Sequence, residues 1–163
     1  KDFSHVDKSE WQEADLNAGI ESTLNVVWNE LKYKAEVVRE FGELPKVPCV
    51  AAQINQVVMN LLVNAAHAIE QRGTSTVRTG CDPSTAWIEV SDTGRGMAPA
   101  VLQRIFEPFY TTKPVGKGTG LGLSISYDII VKKHRGRFDV TSTPGEGTTF
   151  KLWLPIKGPE KAA

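Results

Sequence analysis

"NQVVMNLLVNAAHAIE", residues 55–70, has the composition of a helix that is apolar almost all the way round, yet it carries Asn60 and Asn64. The two asparagines lie one helical turn apart, where side chains share a face. Asparagine is a poor helix former, and a buried amide without partners costs about 1–3 kcal/mol. Polar residues recur at steps of three and four along this face: Gln53, Gln56, Asn60, Asn64, His67 and Gln71.

This polar stripe has two interpretations. It can be an ordinary solvent-facing stripe, which its spacing alone does not exclude. An exposed stripe usually contains lysine and glutamate, however, whereas this one has only uncharged amides and an imidazole. Those groups suit a cleft in which a ligand is held by hydrogen bonds, or in which an amide oxygen binds a metal ion.

The composition predicts one globular domain. The chain has 163 residues, of which 40% are hydrophobic, and its 19 basic residues balance its 19 acidic ones. No global field therefore points to nucleic acid or to a membrane surface, and no apolar run approaches a membrane span of roughly 18 residues. Cys49 and Cys81 have no metal-ligand spacing, so we expect free thiols rather than a disulfide. The start "KDFSHVDKSE" indicates a fragment of a longer protein.

The order of predicted elements favours a two-layer α/β sandwich, with one mixed sheet and its helices on one face. Residues 1–13 are interpreted as a linker or as the end of a preceding element, and residues 42–49 as a loop. The predicted elements are a helix at about 18–33 capped by Asn17, a strand at 35–41, the striped helix at about 52–71 ended by Gly73, strands at 74–81 and 85–92, a short helix from Pro99 through Ile105, a helix at about 121–134, and a strand–turn–strand unit at 136–155.

"SDTGRGM", residues 91–97, follows the second strand of a predicted hairpin. Asp92 lies at the end of that strand, and Gly94 and Gly96 allow a sharp turn or a close approach to a ligand. Because a carboxylate only accepts hydrogen bonds, Asp92 is suited to bind an exocyclic amine such as that of adenine. A turn without a function remains the alternative.

"GKGTGLGLSIS", residues 116–126, alternates glycines before a helix. Free backbone amides and a helix N-terminus together favour phosphate binding, and Lys113 and Lys117 flank the run. A flexible hinge and solvated lysines are the alternatives. Just upstream, "IFEPFYTTK" places Phe106, Phe109 and Tyr110 either in the core or at one end of a lid over residues 110–119.

Taken in order, these clusters resemble the asparagine, phenylalanine and three glycine boxes of the Bergerat ATP-binding fold. Sensor histidine kinases, type II topoisomerases, mismatch-repair ATPases and heat-shock chaperones share that fold. The resemblance covers about residues 15–156 and implies a mixed, mainly antiparallel sheet of about five strands with three main helices on one face. We therefore expect the end of a preceding element or a linker at 1–14, an ATP-binding domain at 15–157 and a tail at 158–163.

One position indicates the histidine kinase branch. The ATPase branches of the family carry a glutamate four residues before the magnesium-binding asparagine, and this chain has Asn60 there if Asn64 matches the latter. An amide cannot take a proton from water, so efficient hydrolysis is not expected. "RIFEPFYTTK" and "GTGLGLSIS" also resemble histidine kinases in wording. A hydrolysing ATPase, or a nucleotide-binding docking module without transfer activity, remains an alternative.

The resemblance implies a role for each matching residue. Asn64 would give its amide oxygen to Mg²⁺, and Asn60 would support that site. His67 stands where relatives often have a phosphate-binding lysine, and a simple helix-surface histidine is the alternative. Asp92 would bind the adenine amino group, helped by Thr148. The remaining residues that the resemblance places at the nucleotide are Gly94, Gly96, Lys113, Gly118, Thr119, Gly120, Leu121 and Gly122.

The phosphoacceptor histidine is expected outside this chain. None of the three histidines, in "FSHVD", "AAHAI" and "KKHRG", has the acidic and apolar context of a phosphoacceptor. The resemblance implies a separate helical hairpin that carries this histidine and dimerises the full protein, and a response regulator receiver domain as the final acceptor. We expect a monomeric, cytoplasmic fragment without membrane contact, which leaves open whether the parent protein is anchored in a membrane.

Overall fold

The computed structural model describes residues 10–110 and 122–159. In chain order the elements are β1 (Trp11–Ala14), α1 (Leu16–Leu31), β2 (Ala35–Phe41), β3 (Val47–Val50), α2 (Ala51–Ala68), β4 (Gly73–Cys81), β5 (Thr85–Asp92), α3 (Pro99–Leu102), α4 (Gly122–Tyr127), which continues as a π-helix over Asp128–Lys133, β6 (Arg137–Thr143) and β7 (Gly147–Pro155).

One mixed sheet forms the first layer of the sandwich. Its strand order is β2-β4-β5-β7-β6, with β2 parallel to β4 and the other neighbours antiparallel. Helices α1 and α2 pack on each other and, through buried side chains, on one face of the sheet. Among the largest fully buried side chains are Ile20, Leu24, Leu61, Leu62, Ile88 and Leu152. The predicted fold class is confirmed.

The opposite face of the sheet carries two tryptophans. Trp87 and Trp153 are directly paired across β5 and β7. The ammonium of Lys151 lies 4.3 Å from the ring centroid of Trp87 and 4.9 Å from that of Trp153. Such cation–π contacts cover part of the aromatic surface with a charged group. This face is therefore a half-buried, mixed surface, distinct from the face under the helices.

Helix α1 begins earlier than the sequence predicts. Its cap is Asp15, whose carboxylate accepts the N–H of Ala18 at 3.1 Å, so the prediction of an Asn17 cap is wrong. Aspartate is as good a cap as asparagine, and here it has the extended backbone that a cap needs. The Asn17 side chain instead ties α1 to the sheet region: it donates to the Gly42 carbonyl at 2.8 Å and accepts from the Thr79 hydroxyl at 2.8 Å.

A two-stranded antiparallel sheet stands where the sequence predicts a linker and a loop. Strand β1 pairs with β3 over four residues, from Trp11 opposite Val50 to Ala14 opposite Val47. Runs this short do not show a strand periodicity, and Pro48 within β3 argues against a strand except at an edge. The interpretations of residues 11–13 as linker and of residues 47–49 as loop are therefore wrong, whereas residues 42–46 form a loop as predicted and residues 1–9 lie outside the described residues.

Several predicted helix ends also shift. Helix α2 ends at Ala68, so Gln71 is not on it, and Gly73 begins β4 instead of ending the helix. The short helix after Pro99 ends at Leu102 rather than at Ile105. The wider π-type turns over Asp128–Lys133 are not predicted by periodicity, since they occur inside an otherwise helical pattern.

Both cysteines are free thiols, as the sequence predicts. Cys49 is buried on β3, whereas Cys81 at the end of β4 is exposed. Burial, with a smaller contribution from the Glu13 carboxylate, raises the pKa of the Cys49 thiol to about 11. Cys49 is therefore a neutral, inert core residue at physiological pH.

His134 joins three elements at the end of the π-helix. Its ring is 1% exposed and stacks beside Trp11 of β1, with ring centroids 4.8 Å apart. The N–H of Val50, the residue that precedes α2, donates to Nε2 at 3.1 Å, and Nδ1 lies 2.8 Å from the Ile129 carbonyl. Since a carbonyl only accepts, Nδ1 carries a proton. Because Nε2 accepts the Val50 N–H, it carries none, and the ring is therefore neutral.

Acidification should weaken the fold through His134. Burial is the main cause of the lowered pKa of this imidazole, and the nearby Lys133 ammonium lowers the pKa further. The unfolded chain therefore takes up a proton at a higher pH than the folded chain does. The stabilisation that comes from the neutral His134 ring is complete above the ordinary histidine pKa of about 6.5. It is lost as the pH falls toward the lower pKa that His134 has in the folded chain. Urea unfolding at about pH 7.5 and pH 5.5 should show this loss.

His134→Gln removes the titrating group and is the comparison for this measurement. The variant should lose less stability on acidification than the wild type, whatever its stability at neutral pH. An unchanged dependence of the free energy of unfolding on pH would show that another group causes it.

The β6–β7 hairpin holds the loop that follows β5. The N–H of Gly145 in the hairpin turn donates to the Arg95 carbonyl at 2.7 Å. Gly96 has φ 71°, and a Cβ placed there would lie 2.1 Å from the Thr143 carbonyl oxygen. Gly145 has a similar φ of 81°, but a Cβ placed there would meet no atom within 4 Å.

Gly96→Ala should therefore be more destabilising than Gly145→Ala. Both variants force alanine into the left-handed region, which costs about 1–2 kcal/mol. Only the Gly96 variant must also push apart two backbone segments. Thermal unfolding of the two proteins checks this, and equal losses of Tm would show that the loop and the hairpin are not packed as described.

Candidate functional site

Four polar side chains form a row across one end of the sheet, on the face that the helices cover. Asp92 of β5 is paired with Ser75 of β4 on one side and with Thr148 of β7 on the other, and Thr148 is paired with Ser142 of β6. Directly paired residues point to the same face. Buried apolar residues such as Val90 and Phe150 continue the same face inward. This polar row closes the core at the end of the sheet.

Asp92 is the one charged residue of the polar row. It is half-buried, and the Gly94 N–H donates to its Oδ1 at 2.8 Å. Burial is the largest influence on this carboxyl and raises its pKa, while hydrogen bonds from the Gly94 and Thr148 N–H groups and the charge of Arg95 act in the opposite direction. The site therefore offers a partly desolvated hydrogen-bond acceptor that favours a donor on a ligand.

The loop after Asp92 is fixed to the C-terminal end of α2. The Arg95 N–H donates to the Ala68 carbonyl at 2.9 Å, and the Arg95 guanidinium donates to the His67 carbonyl at 2.8 Å. Helix ends leave such carbonyls without intrahelical partners, so Arg95 caps α2. Gly94 has no room for a side chain, because a Cβ there would lie 2.5 Å from the Ala68 oxygen. This contact sets Asp92 beside the polar stripe of α2.

The predicted stripe residues, apart from Gln71, lie along α2. Asn60 and Asn64 are half-buried and His67 is exposed. The Asn60 amide donates to the Ser126 hydroxyl of α4 at 3.4 Å, and a Cβ at Gly122 would lie 2.6 Å from its oxygen. Asn60 is thus held against α4. His67 Nε2 lies 3.8 Å from a Glu30 carboxylate oxygen on α1.

The structure brings together only part of the predicted nucleotide site. Asn60 and Gly122 lie at the α2–α4 contact, Asn64 lies one turn further along α2, and Asp92 and Thr148 lie in the polar row. Gly94 and Gly96 form the loop that links the end of α2 to the β6–β7 hairpin. The predictions for Lys113, Gly118, Thr119, Gly120 and Leu121, and nearly all of the predicted lid, lie outside the described residues.

The two phenylalanines before the predicted lid behave differently. The Phe106 ring packs on Tyr127 and Phe138, with ring centroids 5.1 Å apart in both pairs, so it is a core residue. Phe109 is 74% exposed and has φ 68°. The Arg104 guanidinium lies 4.3 Å from the Tyr110 ring centroid. The core interpretation therefore holds for Phe106, whereas Phe109 lies on the surface and the predicted lid beyond Tyr110 lies outside the described residues.

Sequence reasoning did not identify Ser75 and Ser142. Ser75 is fully buried, and its hydroxyl has no hydrogen-bond partner among the described residues. Ser142 accepts the Met97 N–H at 2.8 Å and contacts Thr148. The alternation along each strand could have identified both serines. Ser75 lies two residues before buried Val77, and Ser142 lies four residues after buried Phe138, so each serine faces the core. A polar residue at such a position marks the end of the apolar core.

Two features are not found within residues 10–110 and 122–159, namely a cluster of metal ligands and a membrane-spanning helix. No three His, Cys, Asp or Glu side chains of these segments come together as a metal site. Within the same segments no helix is both long enough and apolar enough to cross a bilayer.

Comparisons with known proteins agree with the geometry. Residues 49–158 match the family described as histidine kinase-, DNA gyrase B-, and HSP90-like ATPase. The histidine kinase AtoS of Escherichia coli is 38% identical over 158 residues, which are 95% of this chain and 26% of AtoS. The chain spans about a quarter to a third of the length of the curated relatives it matches.

Solved structures show the same fold. The catalytic domain of histidine kinase ThkA superposes with a TM-score of 0.80 at 27% identity, covering 90% of this chain and 97% of that domain. ThkA in complex with the response regulator TrrA gives a TM-score of 0.76 at 25% identity, covering 90% of this chain and 42% of ThkA. These comparisons confirm the resemblance seen in the sequence. The chain belongs to the histidine kinase-, DNA gyrase B- and HSP90-like ATPase family, as a catalytic ATP-binding domain of the sensor histidine kinase kind.

Proposed function

We propose that this domain binds Mg-ATP and presents the γ-phosphate to a histidine on a separate dimerisation domain, in two-component signalling. One observation carries the proposal: the Asp92 loop is hydrogen-bonded to the end of α2, at 2.9 Å between Arg95 N and Ala68 O. This contact would join Asp92, which suits a base, to the amide face of α2, which suits phosphates and a metal ion, in one site.

The polar row fits an adenine base. The Asp92 carboxylate accepts the exocyclic amine, and Thr148 opposite it supplies a second polar contact. Ser75 on the other side has a fully buried hydroxyl without a partner among the described residues, which a polar ligand or its bridging water would satisfy. Gly94 and Gly96, which have no room for a side chain, let the loop pack against the end of α2 and against the β6–β7 hairpin.

The polar stripe of α2 fits the metal and the phosphates. Asn64 would hold Mg²⁺ through its amide oxygen, and Asn60 would support the same site. When bound, the ion neutralises negative charge on the phosphate oxygens. His67, at the exposed end of the stripe, would contact a phosphate. The backbone of Gly118, Thr119, Gly120, Leu121 and Gly122, with Lys113, would complete the phosphate site.

Asn60 favours transfer over hydrolysis. A general base must accept a proton from water, which an amide cannot do. Its contact with Ser126 also holds the side chain toward α4. The domain therefore would keep ATP intact until an acceptor histidine arrives.

The acceptor and the further partners would lie on other domains. Both ring nitrogens of His134 are engaged in hydrogen bonds, so this histidine cannot be an acceptor in the folded state. The complex of ThkA with TrrA supports a response regulator receiver domain as the next partner. We propose a homodimeric, cytoplasmic signalling module in which residues 15–157, together with the β1 strand that pairs with β3, form the catalytic domain. A linker or the end of a preceding element would come before it and a tail at 158–163 after it, and the isolated domain would be monomeric.

Mg-ADP should stabilise the domain, and Asp92→Asn should abolish most of this effect. Ligand at about a hundred times Kd adds roughly 2.7 kcal/mol to the free energy of unfolding, which raises Tm by several degrees. Asp139→Asn is the matched control, because Asp139 pairs with Arg137 on β6, away from the polar row. Equal Tm shifts for both variants would contradict base binding at Asp92.

Asn64→Ala should remove the magnesium dependence of nucleotide binding. The variant loses the amide oxygen that we assign to the ion, so its ADP affinity should be the same with Mg²⁺ and with EDTA. Asn25→Ala, at an exposed position on α1, is the control and should keep the difference. Calorimetric titration of both variants measures this, and a magnesium effect retained by Asn64→Ala would place the metal elsewhere.

The domain should transfer phosphate but hardly hydrolyse ATP. With labelled ATP, label should appear on an added dimerisation hairpin as acid-labile phosphohistidine. Asn60→Ala should slow this transfer by roughly tenfold or more, because a group that acts on the reacting phosphates is lost. Steady ATP turnover without an acceptor would instead favour the ATPase branch.

A further inference from the structure

Ser142 makes three hydrogen bonds at the edge of the proposed base site. Its hydroxyl oxygen accepts the N–H of Met97 at 2.8 Å and lies 3.0 Å from the Gly147 carbonyl. It also lies 2.8 Å from the Thr148 hydroxyl. These contacts connect the loop after β5 with both strands of the β6–β7 hairpin. Ser142 is therefore the point at which three parts of the site meet.

The chemistry of the partners fixes the direction of each bond. The Met97 N–H can only donate, and the Gly147 carbonyl can only accept. The single hydroxyl proton of Ser142 is consequently used on Gly147. The remaining contact requires Thr148 to donate its own proton to Ser142. Ser142 then has one donated and two accepted hydrogen bonds, which is the full capacity of a hydroxyl group.

Thr148 is left as a pure acceptor. Its one hydroxyl proton points to Ser142, so only lone pairs of its oxygen face other groups. Thr148 stands directly opposite Asp92, whose carboxylate likewise only accepts when ionised. The two side chains thus present acceptors alone at the centre of the polar row.

We infer that Ser142 is a positioning residue that makes the site selective for 6-aminopurine over 6-oxopurine nucleotides. The inference rests on the proposed nucleotide binding and goes beyond it, because Ser142 acts on the ligand only through the proton of Thr148. Adenine offers an amino group to the two acceptors. Hypoxanthine and guanine place an oxygen there, whose lone pairs meet those of Asp92 and Thr148. In Ser142→Ala the Thr148 hydroxyl is released and can turn to donate to that oxygen.

The test compares the Kd values of Mg-ADP and Mg-IDP, which differ at position 6 of the base, by calorimetric titration. The wild type should prefer ADP. Ser142→Ala should lower this preference by roughly fivefold, the size of one hydrogen bond. Ser142→Thr keeps the hydroxyl and should therefore retain the wild-type preference for ADP over IDP. Ser84→Ala, in the turn before β5 at the other end of the sheet, is the matched control and should resemble the wild type.

A double variant separates positioning from simple packing. Thr148→Val removes the hydroxyl on which Ser142 acts and should lower the ADP preference by itself. Adding Ser142→Ala to Thr148→Val should then change the preference no further. This comparison also holds if Ser142→Ala alone does not fold, because an unchanged preference in Thr148→Val would already overturn the inference.

Each other outcome has a definite meaning. If Ser142→Ala weakens ADP and IDP by the same factor, Ser142 only packs the loop against the hairpin and the inference is wrong. If the wild type binds neither nucleotide, the proposed function fails instead. If the wild type binds ADP and IDP equally, nucleotide binding stands but selection through Thr148 does not.

Discussion

The hydrogen bonds between Arg95 and the last carbonyls of α2 are the contact on which the site depends. They cap a helix end that would otherwise leave polar groups without partners, and they require a glycine at position 94. The same contact sets the end of β5 beside the amide face of α2. A structural need, the closing of a helix, therefore joins the end of α2 to the end of β5, the two parts of the site to which we assign phosphate binding and base binding.

Helix α2 is fixed at both of its ends. At its start, the N–H of Val50 donates to the buried ring of His134, and at its end Ala68 accepts from Arg95. Between these points Asn60 is held against α4 through Ser126. Preorganised polar groups need little reorganisation when charge must be bound, so a helix tied in this way suits the positioning of phosphates. The neutral state of His134 is part of that arrangement.

The sequence was sufficient for the features that repeat along the chain. The stripe of Asn60 and Asn64, the Asp92 turn and the order of glycine-rich segments predicted the fold, and the described residues of these motifs lie on α2, at the end of β5 and at the start of α4. Features that depend on pairing between distant segments could not be predicted. Ser75 and Ser142 matter because of strand register, the β1–β3 pair is too short for a periodic pattern, and His134 in "KKHRG" looks like a surface residue until the fold buries it.

Backbone amide chemical shifts of the labelled domain, followed during titration with Mg-ADP, test the central claim most directly. The account predicts that the shifts of Asp92, Gly94, Gly96 and Thr148 change together with those around Asn64. Residues on the opposite face of the sheet, such as Trp87 and Trp153, should remain unchanged. Changes confined to that opposite face, or to α2 without the polar row, would contradict a single nucleotide site built from α2 and the end of the sheet.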